Sequence, residues 1–115
     1  MQPSVDVIIP FYNRVEATCV ALNSVLNQAY DNFNIILVND CSSEDISPLL
    51  KIVSDHNCCF LVSHLSNQGA SASRNTGLMY CLGTYIAFLD SDDFWHPFKL
   101  RNQIAYMLHR DSLFS

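Results

Sequence analysis

Charge is scarce in this sequence. Only 15% of the 115 residues are charged while 50% are hydrophobic, where a soluble domain usually carries about 25% charge. Apolar surface is therefore expected to be covered by a partner, a second copy or a further part of the chain. Basic residues are scarcer than acidic ones, six against eleven, for a net charge of −5. Lys51, Lys99, Arg101 and Arg110 are scattered and form no stripe, so no nucleic-acid partner is expected. Glycine occurs three times. No Gly-x-Gly-x-x-Gly follows the first apolar run, which argues against a dinucleotide held at a helix N-terminus, and no Gly-x-x-x-x-Gly-Lys-Ser/Thr loop is present. No apolar stretch approaches transmembrane length. Met1 to Asp6 has neither the basic start nor the apolar run of a signal peptide.

Cys-x-x-Cys pairs are absent as well. The five cysteines, Cys19, Cys41, Cys58, Cys59 and Cys81, are odd in number and lie mostly in apolar stretches. Reduced thiols in a cytoplasmic protein fit this better than a disulfide framework. His56, Cys58, Cys59 and His64 are close enough in sequence to suggest zinc. However, Cys59 and His64 fall on a predicted strand, where adjacent ligands point to opposite faces, and zinc is set aside.

What is present alternates between strand and helix periods, over a length that suits one domain with one core. Val5 to Pro10 reads as a strand stopping at proline. Asn13 with Glu16 three residues on resembles a capping box, opening a helix to about Gln28 with Cys19, Leu22, Val25, Leu26 and Ala29 on one face. Phe33 to Val38 is a second strand, apolar on both faces, as in parallel sheets. A helix is predicted from Glu44, acidic in its first turn, with Pro48 early and Ile46, Leu49, Leu50 and Val53 on one face. A third strand, Cys59 to His64, leads through Asn67 and Gly69 to a helix from Ala70 to Leu82 that starts in small residues, with Gly83 as its C-terminal cap. The fourth strand is Thr84 to Leu89. Pro97 is expected to open a last helix to about His109, burying Leu100, Ile104, Met107 and Leu108, and Leu113 to Ser115 reads as the start of another strand. The class predicted is α/β, a mainly parallel sheet with helices on both faces and right-handed crossovers.

In such sheets ligands sit outside the carboxyl ends of the strands. Tyr12, Asn13 and Arg14 follow the first strand, Asn39 and Asp40 the second, Asn67, Gly69 and Arg74 the third, and Asp90, Asp92 and Asp93 the fourth. The last group decides the chemistry. A strand, Tyr85-Ile86-Ala87-Phe88-Leu89, runs straight into three carboxylates within four positions, and carboxylates two apart can converge on a hard cation such as Mg²⁺ or Mn²⁺. The bland alternative is a solvated acidic turn with Asp93 capping the next helix. With no glycine-rich phosphate loop, a metal at Asp90 and Asp92 is what would hold phosphate. Asp40 could accept hydrogen bonds from a base or ribose, and Tyr12 offers it an aromatic face. Together these point to a nucleoside diphosphate bridged by a metal.

Four stretches carry a resemblance: Val7-Ile8-Ile9-Pro10-Phe11-Tyr12-Asn13-Arg14, Val38-Asn39-Asp40-Cys41-Ser42, Asn67 through Gly77, and Tyr85 through Pro97. In this order and spacing they resemble the family-2 glycosyltransferases of GT-A fold, over nearly the whole chain. The resemblance implies a Rossmann-like nucleotide-binding half within residues 1–115. It implies sugar transfer from a nucleotide-diphosphate sugar, a UDP-sugar first, usually with inversion and with Mg²⁺ or Mn²⁺. Pro10, Tyr12, Asn13, Asp40, Arg74 and Asp90 would hold the nucleotide, with Asp40 toward the uracil edge. Asp90 and Asp92 would be the Asp-x-Asp pair, with Asp92 the direct metal ligand. The acceptor implied is a saccharide or lipid-linked precursor, and the location is cytoplasmic, at the membrane face through parts beyond this chain. Cys41 stands where the family often has glycine. The family's catalytic base has no counterpart here and is expected beyond Ser115; Asp93, beside the metal site rather than facing an acceptor, is a poor substitute. A non-catalytic nucleotide-binding module is the alternative.

Overall fold

The computed structural model describes residues 2–114, and side chains through residue 109. Strands β1 (Val5–Phe11), β2 (Phe33–Asn39), β3 (Cys59–Ser63) and β4 (Tyr85–Phe88) alternate with helices α1 (Val15–Leu26), α2 (Ser47–Asp55), α3 (Ala70–Leu78) and α4 (Lys99–Phe114). All strand pairs are parallel, in the order β3-β2-β1-β4. The α/β class and the parallel sheet are those predicted. The order reverses at β1: β2 and β3 lie to one side of it, β4 to the other. That reversal opens a crevice between the carboxyl ends of β1 and β4.

β1 is central because it is apolar enough to be covered on both faces, and all seven of its residues are buried. Val5, Val7, Ile9 and Phe11 point one way, packing with Ile35 and Leu37 of β2, Leu22 and Val25 of α1, Leu49 of α2, and Leu100 and Ile104 of α4. Ile8 points the other way, with Ile36 and Val38. On that second face α3 packs over β1 and β2. A single helix does not cover four strands, so Phe60, Ile86 and Phe88 beside it stay about half exposed. The apolar excess read from composition therefore has a location.

α3 approaches its face closely. A Cβ on Gly77 would lie 2.5 Å from Ile8 Cγ2, nearer than two carbons can pack. Gly77→Ala is expected to destabilise the fold by about 1–3 kcal/mol, read as a lower midpoint in urea; an unchanged midpoint would show that α3 is free to shift away.

Proline does not end β1, which continues to Phe11. Residues of a parallel strand alternate their ladder partners. Phe11 O accepts Asp40 N on the β2 side, and Ile8 O accepts Leu89 N on the β4 side. Pro10 shares the side of Ile8, so its missing N–H faces past the last β1–β4 pair, Ile8 with Phe88. It costs no ladder bond there and leaves the crevice unzipped.

Several boundaries differ from the prediction. The capping box does not form: Asn13 and Arg14 both have positive φ, 55° and 50°, and α1 begins at Val15 with no side-chain cap from Arg14. Glu44 does that work instead, accepting Arg14 N at 3.1 Å and Val15 N at 3.2 Å. It therefore lies outside α2, which starts at Ser47 without an acidic first turn. α3 ends at Leu78, and Gly83 is not its cap; the Gly83 amide donates to the buried carboxylate of Asp6, as does Leu82 N at 2.9 Å. α4 begins at Lys99, after Pro97 rather than at it. It remains helical through Phe114, where a strand was expected; Ser115 lies outside the described residues. Leu50 and Leu108, predicted core residues, are exposed.

Candidate active site

The crevice at the sheet reversal holds about 290 Å³ and is lined by Pro10, Phe11, Tyr12 and Arg14 after β1, Asp40 after β2, Ala70, Ser73 and Arg74 on α3, and Asp90, Ser91 and Asp92 after β4. Six of the seven residues singled out from sequence meet in this cleft. Asn13 does not line it. Its Oδ1 accepts Ser43 N at 2.8 Å and Glu44 N at 3.0 Å, and its own N–H donates to Ser42 Oγ at 2.7 Å. Asn13 thus ties the loop after β1 to the loop after β2.

Asp40 is 4% exposed. Its Oδ1 accepts His64 Nδ1 at 2.7 Å and Gln68 N at 2.8 Å, and its Oδ2 accepts Gly69 N at 2.9 Å. Gly69, at φ 96°, occupies backbone space that a side chain disfavours, and this turn aims the start of α3 at the carboxylate. Burial alone would push the Asp40 carboxyl up. The hydrogen bonds from His64, Gln68 and Gly69, and the His64 charge, outweigh it and hold the group below the usual carboxylate range.

Asp90 and Asp92 are open to solvent, with side chains 67% and 61% exposed, and each faces an arginine: Arg74 to Asp90 at 3.4 Å and Arg14 to Asp92 at 3.5 Å. Leu89 just before them is buried. Asp93 turns away, accepting Phe94 N at 2.8 Å, and with α4 starting at Lys99 it caps no helix. The segment after the acidic turn is stapled to α1. Trp95 N donates to Ser24 Oγ at 3.0 Å, and Gln28 Nε2 donates to His96 O at 2.6 Å while its Oε1 accepts Leu100 N at 3.0 Å. Buried Gln28 therefore caps α4 and fixes the acidic turn from the far end of α1. Sequence reading placed Arg14 at this edge without giving it a ligand, weighed His64 only for zinc, and missed Gln28, which carries no local signal.

The family model for glycosyl transferase family 2 matches residues 6–114. The chain belongs to this family. Among family members, an uncharacterized glycosyltransferase of Rickettsia bellii is 44% identical over 112 residues, 96% of this chain and 16% of that protein. The UDP-Glc:α-D-GlcNAc-diphosphoundecaprenol β-1,3-glucosyltransferase WfgD of Escherichia coli is 37% identical over 110 residues, 96% of this chain and 43% of that protein. The crystal structure of Staphylococcus aureus TarS residues 1–349 in complex with UDP superposes with a TM-score of 0.84 at 25% identity, covering 92% of this chain and 32% of that one. The GT-A fold expected from the motifs is thereby shared. This family-2 chain thus spans less than half the length of each of these relatives. None of its described helices is long and apolar enough to cross a membrane.

Proposed function

We propose that this chain is the donor-binding half of a glycosyltransferase that moves a sugar from a UDP-sugar, with inversion, to a saccharide or lipid-linked acceptor of envelope polysaccharide assembly. The observation that carries the reading is the meeting of Tyr12, Asp40, Arg14, Arg74, Asp90 and Asp92 in one cleft at the sheet reversal. The UDP-Glc donor in the name of WfgD and the UDP complex of TarS support the uridine. Tyr12 and Asp40 receive the base, Arg14 and Arg74 receive the diphosphate, and α3 presents the start of a helix among small residues, a place that favours anions.

The donor set suits Mg²⁺ or Mn²⁺. Asp90 and Asp92 supply hard oxygens on one exposed turn. Two carboxylates are what a Mg²⁺ site completed by substrate phosphates and water asks of the protein. Asp92 and Asp90 would hold the ion. Bound there, it supplies Lewis-acid neutralisation of a departing diphosphate. The chain's own residues bind and orient the donor. Of the cleft carboxylates, Asp40 is committed to three hydrogen bonds and the other two to the metal end, so acceptor activation is assigned to residues outside this chain.

Titrating the chain with UDP in a calorimeter, with Mn²⁺, tests the reading. Saturable binding that the metal tightens about 100-fold is expected, together with, in a separate assay supplied with a UDP-sugar, no sugar transfer above the hydrolysis background. Metal-independent binding would remove the metal from the proposal, and turnover would place the base inside these residues.

A further inference from the structure

Asp40 lies where the proposed donor's base would sit, yet most of its hydrogen-bonding capacity is already used. A carboxylate has about four lone-pair sites. On Oδ1 both are filled, by His64 Nδ1 at 2.7 Å and Gln68 N at 2.8 Å; on Oδ2 one is filled, by Gly69 N at 2.9 Å. One acceptor site remains, on Oδ2. The Gln68 and Gly69 bonds come from backbone and belong to the loop. The His64 bond comes from a side chain, and it is held in place. Its other ring nitrogen, Nε2, lies 2.8 Å from Thr76 Oγ1 on α3. Its backbone N–H donates to Asn39 O at 2.8 Å, and its side chain is only 7% exposed. Because Asp40 is held ionised and has no proton to give, Nδ1 must carry the proton of their bond.

A single free acceptor site distinguishes nucleobases. The pairing edge of uracil presents one donor, N3–H, between two acceptors. That of guanine presents two adjacent donors, N1–H and N2–H, which a carboxylate satisfies only with both oxygens. We propose that His64, by filling Asp40 Oδ1, selects a one-donor uracil edge and rejects guanine. His64 is thus a positioning residue that sets base choice through Asp40 without touching the base. The inference rests on the nucleotide-binding reading above.

The test compares UDP and GDP binding to the full chain by calorimetry, with Mn²⁺ present. Wild type should bind UDP about tenfold or more tightly than GDP, because guanine would leave a buried donor unpaired. His64→Ala should bring the two affinities to within about twofold of each other, since one of the two Oδ1 sites, the other still held by Gln68 N, becomes available to the second guanine donor. His64→Asn, which keeps an N–H near the position of Nδ1, should retain most of the preference. Equal weakening of both nucleotides in His64→Ala, with the preference intact, would mean a structural role only and overturns the inference. Equal binding of UDP and GDP by wild type overturns it too, while binding of neither overturns the nucleotide reading itself. If the variants do not fold, ¹⁵N-resolved NMR of the wild-type ring decides. A proton on Nδ1 that stays bonded when UDP is added is required; an unprotonated Nδ1, or a bond to Asp40 broken by UDP, refutes the mechanism.

Discussion

Replacing Asp92 by alanine is expected to erase the gain in UDP affinity that Mn²⁺ confers, a loss of about 100-fold with metal present, since weakening even the support of a metal ligand costs 10–100-fold. The same substitution should act in the opposite direction without metal. Asp92 now faces Arg14 at 3.5 Å, in a pair whose side chains are 68% and 61% exposed. Such a pair contributes little to folding, so the variant should melt with wild type. Removing the carboxylate releases Arg14 for the diphosphate and removes a like charge from its path. Metal-free UDP binding should tighten about two- to fivefold, the scale of an exposed ion pair. The two arms of one calorimetric experiment therefore move oppositely. A solvated acidic turn with no metal role predicts neither movement, and equal losses in both arms would point to damage to the cleft.

The second large effect concerns folding. Asp40→Asn should destabilise the chain by about 3 kcal/mol, as expected on breaking a buried pair, a fall on the order of 10 °C in thermal midpoint for a domain of this size. An asparagine offers one oxygen and one NH₂ group to three donors, His64 Nδ1, Gln68 N and Gly69 N, so at least one donor must meet another. The pH dependence has a definite sign. The folded-state carboxyl of Asp40 lies below its ordinary value. Its stabilisation is complete above the unfolded value, about 3.9, and is lost as pH falls through the folded one. Between pH 5 and pH 2, to an order of magnitude, the wild-type midpoint should therefore drop further than that of Asp40→Asn. Parallel acid profiles in the two proteins would show that Asp40 carries no such linkage.

The strands were legible because apolar runs of five to seven residues stand between polar loops, and the sheet needs nothing more. Pro10, Tyr12, Asp40, Arg74, Asp90 and Asp92 could be placed on one edge because topology alone carries strand ends there. Helix boundaries were less legible. Three of the misplaced features are fixed by residues distant in sequence: Glu44 caps α1 across 29 to 30 positions, Gln28 caps α4 across 72, and Asp6 takes the Gly83 amide across 77. Asn13 and Glu16 have the spacing of a local cap, but positive φ at Asn13 and Arg14 turns the chain out of register for it. His64 was read as a weak zinc candidate, because sequence shows which residues are near each other along the chain and not which carboxylate a strand end brings to them. Asp6 alone advertised itself, as a charge within an otherwise apolar strand that must find buried donors.

The crosswise tie between Asn13 and Glu44 has a kinetic meaning. Asn13 holds the amides of Ser43 and Glu44, and Glu44 holds those of Arg14 and Val15. Neither loop can open while the other stays closed, so the four amides should exchange with solvent at one common rate. The loop bearing Tyr12 and Arg14 and the loop following Asp40 then behave as a single opening unit. A ligand gripping either end of the cleft slows the breathing of both, and the ordering entropy of the second loop is already spent when the first is held.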